Sequence, residues 1–175
     1  MKWFSRDWQQ GQLSDDEYNR ICADYDDHVQ ELRPLLPAGL QLLGDAGGSI
    51  SLHDGHFVRA EWKVGQPDLL LVDIACWDIQ SGTLVDNAWD YPLLHVQLAY
   101  RGAELVNPTR EVLRRVVRDP ATEILYGEVD IEDQRFAHRM LLWPPAAGHV
   151  AVTFETVDVA AVRFVDGRAA LIEIA

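Results

Sequence analysis

The densest group of chemically capable side chains is His53-Asp54-Gly55-His56. Two imidazoles and a carboxylate are donor types that bind a divalent cation or run acid–base chemistry. A two-residue turn at Asp54-Gly55 would make His53 and His56 a cross-strand pair with Cβ atoms about 5 Å apart. That register sets Ser51 against Val58 and Ile50 against Arg59, mixing polar and apolar residues on each face. A three-residue loop of His53, Asp54 and Gly55 instead pairs Leu52 with His56 and Ile50 with Val58, and gives Gly55 the left-handed position. His53 then belongs to the loop, and His56 to a strand near the face of Trp62. No third ligand is identifiable. A turn with a packed histidine is therefore the primary reading, and a metal-dependent hydrolase or other enzyme centred on His53, Asp54 and His56 is the alternative.

Other groups carry weaker chemistry. Glu123, Glu128, Asp130, Glu132 and Asp133 form an acidic stretch, and Glu128 and Asp130, two apart on a strand, point the same way. Paired carboxylates serve acid–base catalysis when one is desolvated, but the expectation is a solvated face. His138 alternates with Phe136, Met140 and Leu142, which predicts that it faces the core beside a hydrogen-bond acceptor. Arg110, Arg114 and Arg118 fall at helical steps of four, with Arg115 beside them. They form the one basic ridge, suited to an anion or an acidic partner, or simply to water. Six tryptophans are many for this length; Trp3, Phe4 and Trp8 are expected to dock the N-terminus on the sheet. Trp89, Asp90 and Tyr91 lie in Asp86-Asn87-Ala88-Trp89-Asp90-Tyr91-Pro92, a loop with two aromatics among acids, the segment most like a recognition surface. GxSxG, Walker A, GxGxxG and HExxH motifs are absent, and no serine has a nucleophile-like context. No cofactor is expected.

The elements that position these residues follow from periodicity. Ser14-Asp15-Asp16-Glu17 is a capping box, and Tyr18, Ile21, Cys22, Tyr25, Val29 and Leu32 mark one helical face ended by Arg33-Pro34. After a glycine-rich connector the period becomes two. Strands are predicted at Val58–Val64, Leu70–Cys76, Leu94–Tyr100, Ile124–Ile131, Phe136–Trp143, Val150–Val157 and Ala161–Val165, with a return strand after the Asp166-Gly167 turn. That turn sets Phe164 opposite Ala169 and Val162 opposite Leu171. One helix, capped by Asn107 and Pro108, interrupts the strands with Val112, Leu113, Val116 and Val117 as its apolar stripe. The fold class is α+β: an N-terminal helical unit over 1–48, then a mostly antiparallel sheet or sandwich of about eight strands over 49–175, folding as one unit.

At 175 residues, 48% apolar and 25% charged, the composition is that of a soluble globular protein. Fifteen basic against 28 acidic residues leave a formal charge of −13, which repels phosphate backbones and anionic membranes. A basic protein partner is expected instead, and a homo-oligomer stays open. Cys22 and Cys76 form no metal or redox spacing and read as reduced core thiols. With no apolar leader over 1–13, they predict a cytoplasmic address.

Three stretches also carry a resemblance: Ser51-Leu52-His53-Asp54-Gly55, Thr122 through Asp130, and Phe136 through Trp143. With Trp3-Phe4 and Trp8, they resemble a family of uncharacterised bacterial proteins of about this length. The resemblance covers most of the chain and implies no activity for particular residues. The Leu-His-Asp turn followed by a β-rich half is loosely similar to some bacterial toxin-immunity proteins. The functional expectation is a non-enzymatic protein-binding module, immunity-like, that meets a basic partner through an acidic, aromatic-rich surface.

Overall fold

The computed structural model describes residues 1–5, 7, 10, 12–106, 109–144, 147–165 and 168–171, of which 67, 165 and 168–171 are described by backbone alone. Trp8, Asn107, Pro108 and the Asp166-Gly167 turn lie outside the described residues.

The capping box opens helix α1 (Asp15–Leu32): the Ser14 hydroxyl accepts from the Glu17 amide, and the Glu17 carboxylate accepts from the Ser14 amide at 3.0 Å. Three acids in the first turn sit at the positive end of the helix dipole. The helix stops at Leu32, ahead of Arg33-Pro34, and a 3-10 turn over Arg33–Leu35 follows.

Eleven strands and one further helix follow among the described residues. They are β1 (His56–Lys63), β2 (Gln66–Trp77), β3 (Thr83–Val85), β4 (Ala88–Asp90), β5 (Leu93–Arg101), β6 (Glu104–Leu105), α2 (Thr109–Val116), β7 (Glu123–Glu132), β8 (Arg135–Trp143), β9 (His149–Phe154), β10 (Thr156–Val165) and β11 (Arg168–Leu171). One sheet has the order β1-β2-β5-β10-β11, a second β6-β9-β8-β7, and β3 and β4 form a separate ribbon. Every pair is antiparallel. The two larger sheets face each other across one core. Val72, Ile74, Val96, Leu98 and Tyr100 meet Met140, Leu142, Val152 and Phe154, and the Tyr100 ring stands 5.0 Å from Phe154. Full burial of each large side chain contributes about 1.5–3 kcal/mol. The expected α+β class and alternating inner faces are present, and β10–β11 has the expected register, Phe164 opposite Ala169 and Val162 opposite Leu171.

Five details differ from the sequence expectations. The hairpin through residues 50–58 does not form: Ile50 makes a parallel bridge to Leu43, and Gly55 an antiparallel bridge to Ile124. Asp54, not Gly55, takes the left-handed conformation, with φ +59°. Gly55 is needed for space, because a Cβ there would lie 2.7 Å from the Leu52 carbonyl and 2.9 Å from Ile74. A bulge between Phe57 and Arg59 turns Val58 outward and leaves Phe57 inside, so His56 lies on the face opposite Trp62. Val64 belongs to a turn and is 97% exposed. Finally, strand 150–157 breaks at Glu155, where the chain leaves one sheet for the other.

Candidate functional site

The His53-Asp54-Gly55-His56 segment does not gather its donors. His53 Nδ1 lies 2.9 Å from Asp54, and its ring meets Tyr126 edge-on. His56 turns elsewhere: its Nδ1 lies 3.0 Å from the Thr122 carbonyl and its Nε2 4.0 Å from Glu123. No group of three His, Cys, Asp or Glu side chains suited to an ion occurs among the described residues.

His138 is fully buried, as its alternation predicts, but its partners were not legible. Tyr100 Oη lies 2.7 Å from Nδ1 and Asp45 Oδ2 2.9 Å from Nε2. Asp45 comes from the connector, beside Gly127 of β7, where a Cβ would stand 1.9 Å from its carboxylate. Tyr25 Oη donates to the Asp45 carbonyl at 2.6 Å and accepts from the Val129 amide at 2.9 Å, closing the free edge of β7. Burial raises the pKa of both phenols, reinforced by the Asp45 charge. A cavity of about 380 Å³ opens beside this network, with Ser49, Ser51, His53 and Tyr126 on its wall. Tyr100 and His138 lie beneath it without access to solvent. The arrangement fixes the connector to the sandwich.

The expectation of a solvated acidic face holds for Glu132 and Asp133, which are exposed, and is overturned for Glu128 and Asp130. Glu128 is fully buried and Asp130 nearly so, because the N-terminus lies over them. Glu128 accepts from the amides of Lys2 at 2.7 Å, Trp3 at 2.9 Å and Phe4 at 3.4 Å, and Arg139 stands 3.4 Å away. His28 and Lys2 face Asp130 at 3.2 and 3.6 Å. Phe4 stacks on Tyr126, and Trp3 packs against Tyr25 and His28, so both dock as expected.

The segment read as a recognition loop, 86–92, supplies the turn and second strand of the ribbon β3–β4. Its turn residues Asp86 and Asn87 both have positive φ, +49° and +65°, which Asp and Asn tolerate and a two-residue hairpin needs. Leu84 pairs with Trp89, and these side chains are 60% and 62% exposed. Val85 and Ile79 are exposed as well. The Trp89 ring stacks on Tyr91 with centroids 6.1 Å apart, and Gly82 leaves room for the Tyr91 ring. This arm joins β2 to β5, and at its root the register sets Trp77 beside Leu93 and Leu93 beside Phe164. These three exposed side chains form an apolar row across three strands. Arg163 holds the nearly buried Asp78 at 2.6 Å, anchoring the arm to β10. Asp86 and Asp90 are exposed along the arm.

The four arginines of the ridge separate. Arg115 donates to the Ala147 carbonyl, whereas Arg110, Arg114 and Arg118 line a groove beside α2. The thiols of Cys22 and Cys76 are free, and burial pushes Cys76 up to about 12. No described helix is long and apolar enough to cross a membrane.

Comparisons of the chain with protein-family models, curated proteins and solved structures return no match.

Proposed function

We propose that this chain is a non-enzymatic protein-binding module whose contact surface is the β3–β4 arm and the apolar row at its root. The observation that carries the reading is the contiguity of Trp77, Leu93 and Phe164 by strand register, extended by Leu84 and Trp89 on the arm. Large exposed apolar patches mark interaction sites, and Trp and Tyr dominate interface energetics. Asp86 and Asp90 border the patch, and the chain carries −13, so the fitting partner is a basic protein with an apolar recess for Trp89. Opposite fields speed such encounters. Neutralising a basic toxin is a role that would use this surface.

The test is quantitative capture from source cells with wild-type protein, Trp89→Ala and Leu84→Glu, and with Val64→Glu as a remote control. The expected result is a basic protein retained by wild type and by Val64→Glu. Its recovery should fall at least about tenfold for the arm variants, as truncation of a central aromatic anchor predicts. Equal recovery by all four proteins would overturn the assignment.

A further inference from the structure

We propose that the groove between α2 and the β1–β2 end of the larger sheet binds an extended acidic segment of a partner protein, independently of the arm. Its floor is apolar: Trp62 and Leu70 from the inner sheet face, Leu105 from β6, Leu113 from α2 and Val117 just past its end. The volume is about 250 Å³. Arg110, Arg114 and Arg118 form the rim, and all three are exposed.

Among the described residues these cations meet no counter-charge. Arg59, Arg101, Arg135, Arg139 and Arg163 each pair with a carboxylate, but none of the three rim arginines makes an ion pair or side-chain hydrogen bond among the described residues. Glu111, the one acid on α2, pairs with none of them there. Three guanidinium groups without partners among the described residues form a local positive strip on a chain of charge −13. Beyond about 8 Å at physiological ionic strength the rest of the charge is screened, so the strip governs what approaches the groove.

The spacing selects the ligand. Arg110 and Arg114 stand one step of four apart on α2, about 6 Å along its axis, and Arg118 follows in the turn just past the helix end. Same-face residues of an extended chain recur every 6.6–6.8 Å or so, nearly the same interval. Acids at alternate positions would each meet one arginine, while the apolar residues between them, pointing the other way, enter the floor beside Trp62. A single-headed small anion would satisfy one arginine and leave two.

The test is fluorescence anisotropy with a labelled Glu-Leu-Glu-Leu-Glu peptide. Controls are Lys-Leu-Lys-Leu-Lys and unlabelled octanoate as competitor. Binding of the acidic peptide should weaken with added salt. Each single Arg→Ala change should weaken it about two- to fivefold, the range for exposed charge pairs. Arg110→Glu/Arg114→Glu/Arg118→Glu should abolish it at an unchanged melting temperature, since the three side chains are exposed. Trp62→Ala should weaken binding while leaving the salt dependence intact. Four results would overturn the proposal: no binding of the acidic peptide, equal binding of the lysine peptide, full displacement by octanoate at equal concentration, or unchanged binding by the triple variant. A wild-type dimer in sedimentation velocity that the triple variant dissolves would also overturn it, by assigning the groove to a second copy.

Discussion

Replacing Glu128 with Ala should loosen the N-terminus and destabilise the whole chain. The carboxylate is fully buried and accepts three backbone amides, from Lys2, Trp3 and Phe4, at 2.7–3.4 Å. Hydrogen bonds to a charged acceptor contribute about 1.5–3 kcal/mol each, and removing one partner of a buried ion pair costs about 3–5 kcal/mol. Two features hold the loss to that range. Arg139 keeps Glu132 as a partner, and the freed amides can regain water if the first residues peel away. Peeling exposes Phe4, whose burial alone is worth about 2–3 kcal/mol. The expected loss is therefore about 3–5 kcal/mol, which for a chain of this length lowers the melting temperature by about 6–20 °C. Thermal and urea unfolding measure the total, and hydrogen exchange at Lys2–Phe4 measures the local release. A loss below about 1 kcal/mol with unchanged exchange there would refute the reasoning.

Three further outcomes follow from the buried network. Tyr100→Phe leaves a ring nitrogen of His138 unpartnered and should cost about 1–3 kcal/mol in urea unfolding. Tyr25 and Tyr100 have raised folded-state pKa values, so their stabilisation is complete below the ordinary phenol pKa of about 10 and is lost as pH rises above it. Stability measured from pH 8 to 11 should fall at the alkaline end, and less steeply for Tyr100→Phe than for wild type. Gly127→Ala places a methyl against the Asp45 carboxylate, which His138 holds in place, so a loss of about 1–3 kcal/mol is expected; neutral behaviour in thermal unfolding would contradict it. With its thiol pushed up to about 12, Cys76 should resist iodoacetamide in the folded protein at pH 8, as peptide mass mapping would show.

Local signals carried much of the fold. The capping box, the apolar stripe of α1, the inward His138 and the β10–β11 register are written in residues a few positions apart. What escaped depended on distant chain. Glu128 and Asp130 alternate like solvent-facing acids, and only the return of residues 1–4 and α1 over β7 buries them. The bulge at Val58 is invisible to a strict period of two, and it moved His56 away from Trp62. The connector was read as a glycine-rich link because nothing local marks Asp45 as the partner of a histidine 93 residues later. At the arm, Asp86-Asn87 already offered the pair of left-handed turn residues that a hairpin requires. Its aromatics among acids were legible as a surface, but its strands were too short to show a period.

Photo-cross-linking tests the central claim, that the arm is a docking surface, most directly. A benzophenone side chain is placed at position 84 on the arm, or at position 64 on a remote exposed turn, and the protein is irradiated in its source cells. The account predicts one discrete adduct with a basic protein from position 84, lost when Trp89 is also changed to Ala, and none from position 64. The same adducts from both positions, or none from position 84, would contradict it.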